Sequence, residues 1–163
     1  MLHVGDKAPL GLHVLDSEGK RASLAPFAGR YVILYFYPEN ESADCVRQAR
    51  SVRDVHDQIK RYGAVVIGVS PDPPASHRAF RTRHDINFPL WSDPAYALME
   101  AFGARRTIQF MGDTYSYLAP STVAIHPDGT VARIWETNHP ERHGEDIVAF
   151  LRSADPKAPS RSA

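Results

Sequence analysis

The chain has 163 residues, with 19 basic and 19 acidic side chains, 43% hydrophobic residues and a single cysteine. That length suits one domain with a proper core, and the hydrophobic fraction does not mark a disordered chain. Balanced charge with no basic stripe argues against a nucleic-acid partner, and the longest apolar run is far too short to span a membrane. One cysteine cannot close an internal disulfide, and Met1-Leu2-His3-Val4-Gly5-Asp6 lacks the regions of a secretion signal, so the cytoplasm is the expected compartment.

Leu10 to Leu24 reads as a hairpin: Leu12 and Val14 alternate with polar or small neighbours, Asp16-Ser17-Glu18-Gly19 makes the turn, and Ala22 to Leu24 returns. Phe27 and Gly29 then lead into a buried strand, Tyr31 to Tyr37, which Pro38 stops. A polar loop, Glu39 to Asp44, precedes Cys45. After it, Ala49, Val52, Val55, Ile59 and Tyr62 recur at helical spacing, with Lys60 and Arg61 in the last turn and Gly63 as the stop. Ala64 to Ser70 is a second buried strand. Two such strands joined by a helix form a βαβ unit and are expected to be parallel.

Pro73-Pro74 opens a helix over about Ala75 to His84. Ile86 to Pro94 reads as a short connection to a helix near Tyr96 to Phe102, closed by Gly103. Ser121 to Ile125 and Thr130 to Glu136 alternate as strands around the turn His126-Pro127-Asp128-Gly129. A last helix is expected from about Gly144 to Leu151. Residues 153 to 163 are rich in Ser, Ala and Pro and read as a disordered tail, leaving 1–152 as one domain. A parallel βαβ unit followed by an antiparallel hairpin and a terminal helix describes the thioredoxin fold, an α/β class with a central mixed sheet flanked by helices.

Cys45 stands in the first turn of its helix, where free N–H groups and the positive end of the helix dipole stabilise a thiolate, the reactive form of cysteine. The competing reading is a small buried hydrophobe; the polar loop in front of Cys45 argues against it. Tyr35 and Phe36 read as core, at the floor of a cysteine pocket. His139 and His143 have a helical metal-ligand spacing. Pro140 lies between them and no ligand cluster accompanies them, so they read as surface histidines and no metal is expected. Asn40-Glu41-Ser42 fits a glycosylation sequon, without meaning unless the chain is secreted.

Pro38-x-x-x-Ser42-x-x-Cys45 resembles the Pro-x-x-x-Thr/Ser-x-x-Cys signature of peroxiredoxins. The flanks are most similar to the peroxiredoxin Q, or bacterioferritin comigratory protein, subfamily. Gly5-Asp6-Lys7-Ala8-Pro9, Phe36-Tyr37-Pro38, Arg53-Asp54, Gly68-Val69-Ser70-Pro71-Asp72 and Phe88-Pro89-Leu90-Trp91-Ser92-Asp93-Pro94 extend the likeness. Phe102-Gly103, Met111-Gly112, Asp128-Gly129 and His143 carry it along most of the chain. The resemblance implies a thioredoxin-like fold of the peroxiredoxin type and reduction of hydrogen peroxide or organic hydroperoxides. It casts Cys45 as the nucleophile, Ser42 as a hydrogen-bond donor to the peroxide and Pro38 as a shield over the thiol, with no cofactor. Without the resemblance, Ser42 reads equally as a helix N-cap.

Three positions depart from that pattern. The residue before the cysteine, usually glycine in the subfamily, is Asp44, which opposes a thiolate by like charge or serves the helix as a cap. The position of a resolving cysteine is Arg50, so a sulfenic acid on Cys45 needs an outside thiol, such as thioredoxin or a small thiol. The arginine that the family brings from a later strand is matched by Pro120, in a segment more like thioredoxin-type oxidoreductases, where a cis-proline faces the cysteine. Arg47, Arg50, Arg105 and Arg106 are the candidate substitutes. The expectation is a one-cysteine thiol peroxidase, monomeric or homodimeric. The alternative is a catalytically weakened thioredoxin-fold thiol sensor or binding protein.

Overall fold

The computed structural model describes residues 2–136 and 139–154. Its centre is β3 (Val32–Phe36), five consecutive buried residues, paired in parallel with β4 (Val65–Ser70). The helix between them, α1 (Ala43–Arg61), completes the expected βαβ unit and buries Cys45, Gln48, Ala49, Val52, His56 and Ile59 on one face. That face follows from three- and four-residue spacing of the apolar positions. Tyr62 caps the helix, and Gly63 (φ 72°) takes the left-handed turn that ends it.

The N-terminal hairpin forms as two short strands, β1 (Val14–Leu15) and β2 (Arg21–Ala22). After β4 come α2 (Pro74–His84), β5 (Leu90–Ser92) and α3 (Ala97–Ala101). β5 lies inside the segment expected to be a plain connection. It runs parallel to β4 and is buried at all three residues, a strand too short to show a period of its own. A hairpin that the sequence reading lacked follows: β6 (Arg105–Phe110) and β7 (Asp113–Leu118), joined by Met111-Gly112 with both residues left-handed. It stands off the main sheet with most of both strands exposed, although Ile108 and Phe110 on β6 and Tyr115 and Tyr117 on β7 alternate with polar residues and share one face.

β8 (Ser121–Ile125) and β9 (Val131–Glu136) form the expected antiparallel pair, and α4 (His143–Ala154) closes the described chain. Ser153 and Ala154 belong to α4 rather than to a tail; residues 155–163 lie outside the described residues. The seven-stranded mixed sheet has the order β2-β1-β5-β4-β3-β8-β9.

Alternation along β3 divides the core. Ile33, Tyr35 and Tyr37 face Cys45, Ala49, Val52 and Ile59 of α1, with Phe80 of α2 and Ile147 and Leu151 of α4. Val32, Leu34 and Phe36 face Leu98, Met99 and Phe102. Tyr35 therefore lies on the thiol's side of the sheet, whereas Phe36, expected beside it, packs on the opposite face at 5.7 Å from the Phe102 ring. α4 reaches α1 through Gly144: any Cβ there would collide with the Ser51 carbonyl, and the Gly144 N–H donates to Ser51 Oγ at 2.8 Å.

Candidate active site

The site begins where β3 hands over to α1. Ser42 adopts extended geometry (φ −68°, ψ 148°), and its Oγ accepts the Cys45 N–H at 3.3 Å, so it is the N-cap of α1. Just before it, Glu41 takes a left-handed conformation (φ 71°), unusual for a residue with a side chain. The loop is held there from two sides. The Glu41 carboxylate pairs with Arg83 and, at 2.8 Å, with His84 Nε2, and the Asn40 N–H donates to Asp72 Oδ2 at 2.7 Å.

Cys45 is 6% exposed. The alternative readings of this residue were not exclusive: it stands in the first turn of the helix and also packs into the core against Tyr35 and Tyr37, whose rings stack at 5.5 Å. The Tyr35 ring fits because Gly68 opposite has no side chain; a Cβ there would come within 2.9 Å of the phenol. Among the described residues the Tyr35 hydroxyl has no hydrogen-bond partner; burial raises its pKa, and the nearby Cys45 thiolate would raise it further.

A pocket of about 230 Å³ opens over Cys45. Pro38, Pro120 and Pro140 supply its apolar wall, while Ser42 and Gln48 border it with neutral polar groups and Glu39 and Asp44 with carboxylates. The pairing Phe36↔Ser121 between β3 and β8 puts the next residue along, Pro120, beside the end of β3 and hence beside the thiol. The expected facing position is thus correct, but among the described residues no peptide bond is cis.

Burial pushes the Cys45 thiol above the ordinary cysteine range. Hydrogen bonds from the Ser42 hydroxyl and the Glu39 backbone N–H pull it back down, and the Glu39 and Asp44 carboxylates push it up again. Asp44 contributes least because it is mostly exposed and ion-paired with Arg47 one turn on.

None of the four substitute arginines lines the pocket. Arg47 is engaged by Asp44, and Arg50 reaches His84 Nδ1 at 3.2 Å. Arg105 pairs with Glu100 and lies 4.3 Å from the Tyr96 ring centre, and Arg106 donates to the Gly103 carbonyl at 2.8 Å.

His139 is exposed as expected, but His143 is not a surface residue. It is 2% exposed, its Nε2 lies 2.9 Å from Thr122 Oγ1, its ring meets Tyr35 edge-on, and burial lowers its pKa to about 4. The sequence reading also lacked Glu39, Gln48 and Pro140 as pocket residues. Only Gln48 carried a signal, its three-residue spacing from Cys45 on one helix face; Pro140 arrives from the far end of the chain.

Residues 4–134 match the model of the AhpC/TSA family. The chain belongs to that family. Within it, the likeness is to the Bcp or peroxiredoxin Q type. The putative peroxiredoxin Bcp of Haemophilus influenzae is 34% identical over 152 residues, covering 93% of this chain and 97% of that one. The peroxiredoxin Bcp of Bacillus subtilis is 30% identical over 156 residues, covering 96% and 99%. Among solved structures, peroxiredoxin Q of Xanthomonas campestris superposes with a TM-score of 0.84 at 26% identity, covering 95% of this chain and 98% of that one. The chain is a peroxiredoxin of the Q/Bcp subfamily with the thioredoxin-like fold of that family.

Proposed function

We propose that Cys45 is the peroxide-reducing thiol of this peroxiredoxin, with Ser42 as a donor at the reacting oxygens and Pro38 as a shield. A peroxiredoxin of the Q/Bcp type is a thiol-dependent peroxidase, and so is this chain. One observation supports the assignment of residues above the others: the single cysteine stands in the first turn of α1, under a pocket that Ser42 and Pro38 also line, with Ser42 Oγ accepting the Cys45 N–H at 3.3 Å.

The thiolate sulfur attacks one peroxide oxygen, the O–O bond breaks, and the other oxygen leaves as hydroxide or alkoxide and takes up a proton. Sulfur is left as a sulfenic acid. Ser42 is both cap and donor: its oxygen accepts the Cys45 N–H while its hydroxyl hydrogen turns to sulfur or substrate. Three prolines around the pocket favour organic hydroperoxides as well as hydrogen peroxide. The bacterioferritin comigratory protein of Xanthomonas campestris, 26% identical, is described with alkyl peroxide reduction activity.

With no second cysteine in the sequence, the sulfenic acid is returned to thiol by an external reductant, thioredoxin or a small thiol. We take residues 1–152 as one catalytic domain, cytoplasmic, acting as monomer or homodimer. Among the described residues no helix is long and apolar enough to cross a membrane.

A second reading, a weakened peroxidase used as a thiol sensor, is favoured by the pocket's lining, which among the described residues includes no guanidinium, and by burial that pushes the thiol above its ordinary range. The deciding experiment treats the protein with one equivalent of peroxide. Intact mass should rise by one oxygen, Cys45→Ser should abolish the change, and the reaction should outpace that of a free thiol. An unmodified mass after long exposure removes the assignment, and a rate no better than a free thiol selects the sensor.

A further inference from the structure

The oxygen that leaves during peroxide reduction gains negative charge, and a site that speeds the reaction needs a donor aimed where that charge grows. Among the described residues no arginine lines this pocket, and the position facing Cys45 just before β8 is Pro120, which has no N–H and no charge. Ser42 already accepts the Cys45 N–H and has a single hydrogen to offer.

One donor in the pocket is left over. Gln48 lies three residues beyond Cys45, on the same face of α1, and borders the pocket. It is 4% exposed, and its amide nitrogen is shielded and has no hydrogen-bond partner among the described residues. An unpaired buried donor costs about 1–3 kcal/mol, which a folded helix has no structural reason to retain. A half-turn of the carboxamide exchanges Oε1 and Nε2, so either end of the group can present the N–H to a guest.

We propose that Gln48 is a catalytic residue of the Cys45 site, its side-chain N–H donating a hydrogen bond to the bound peroxide and holding the oxygen that leaves. The proposal rests on Cys45 being the peroxide-reducing thiol. In the step it serves, an S–O bond forms and the O–O bond breaks. Sulfur gives up two electrons, and the departing oxygen takes the proton that the thiol released, so that Cys–SH and ROOH become Cys–SOH and ROH. Gln48 moves no proton.

An arginine at such a site acts twice: its charge favours the thiolate and its N–H groups hold the leaving oxygen. A carboxamide is neutral at every working pH and does only the second. Activation of the thiol and stabilisation of the leaving oxygen are therefore separate functions in this pocket, with the thiol still above its ordinary range.

That separation supplies the test. Alkylation by iodoacetamide reports the thiolate without needing a donor for a leaving oxygen. Gln48→Met keeps the length of the side chain and removes its N–H. The second-order rate with hydrogen peroxide is expected to fall at least about tenfold, while the iodoacetamide rate and the thiolate absorbance titration stay at parent values. Equal loss in both reactions overturns the proposal, because it marks disturbed packing of α1. An unchanged peroxide rate overturns it as well, and the assignment of Cys45 stands. A parent protein whose Cys45 ignores peroxide removes that assignment instead. Should Gln48→Met fail to fold, Gln48→Glu serves the same end. With both rates corrected for thiolate fraction, the peroxide rate should fall above the carboxyl pKa and the iodoacetamide rate should not; equal rates would count against Gln48.

Discussion

Two polar clusters flank Tyr37, and they are built to opposite plans. On one side, the Tyr37 hydroxyl donates to Asn40 Oδ1 at 2.7 Å, Asn40 Nδ2 reaches Ser76 Oγ at 3.0 Å and His77 Nδ1 at 3.1 Å, and Ser70 Oγ donates to Asp72 Oδ2 at 2.8 Å. Every side chain of that network has a partner inside the protein, and it fixes the loop that leads into α1. On the other side, around Cys45, Tyr35 Oη and Gln48 Nε2 are buried without partners among the described residues. A satisfied network stabilises one loop geometry, whereas unpaired donors raise the energy of the empty site and gain a partner when an oxygen-rich guest enters. The first cluster is scaffold and the second is receptor.

Acid should break both. His77 and His143 are held neutral by burial, His143 down to about 4. Above the ordinary histidine value, about 6.5, neither folded nor unfolded chain binds the proton. Below it the unfolded chain does and the folded one refuses, so stability falls with pH until the folded-state value is passed. His143 alone accounts for roughly 3 kcal/mol between pH 7 and pH 4. Urea unfolding at both values measures it, and His143→Gln should flatten the dependence.

Ser42→Ala attacks the receptor side. Peroxide reduction should slow on the order of a hundredfold, with about 1 kcal/mol of stability lost with the cap. A stability loss with an unchanged rate would reduce Ser42 to a cap alone.

Asn40→Ala attacks the scaffold side. It strips partners from Tyr37, Ser76 and His77 together, and should lower stability by about 2 kcal/mol in denaturant unfolding. The iodoacetamide rate of the folded protein should change far less. If that rate falls in step with stability, the two clusters are not separate.

The smallest effects are electrostatic. Since the parent thiol lies above its ordinary range, its alkylation rate should climb through pH 8 without a plateau. Asp44→Asn removes an opposing charge and Pro120→Arg adds a favourable one at the facing position, so each should raise the rate at neutral pH by less than about tenfold. Thiolate absorbance titration follows the same change directly. A parent thiol that already titrates well below neutrality would show that a cation reaches the pocket in solution.

What could be read in the sequence was what neighbours along the chain decide. A buried strand, a proline stop, a serine cap and a periodic helix placed Cys45 in the first turn of α1, and the parallel partner of β3 followed from the helix between the strands. The order of motifs identified the family and the pocket position of Pro120 before any distance was known. What the sequence left open depends on chain segments far apart. The burial of Cys45, which outweighs the nearby charges in setting its pKa, comes from a core shared with Tyr35 on β3, Tyr37 just beyond it and the apolar face of α4. His143 looked like a surface residue because one helix face cannot be told from the other until Thr122 and Tyr35 are brought against it. β5 was too short for periodicity to register, whereas β6–β7 carried an alternation, Ile108 and Phe110 with Tyr115 and Tyr117, that went unread. Gln48 is an ordinary helix former in sequence; only the closure of α1 over the sheet shields its amide and leaves it unpaired beside the thiol, because desolvation belongs to the packed fold and not to the residue.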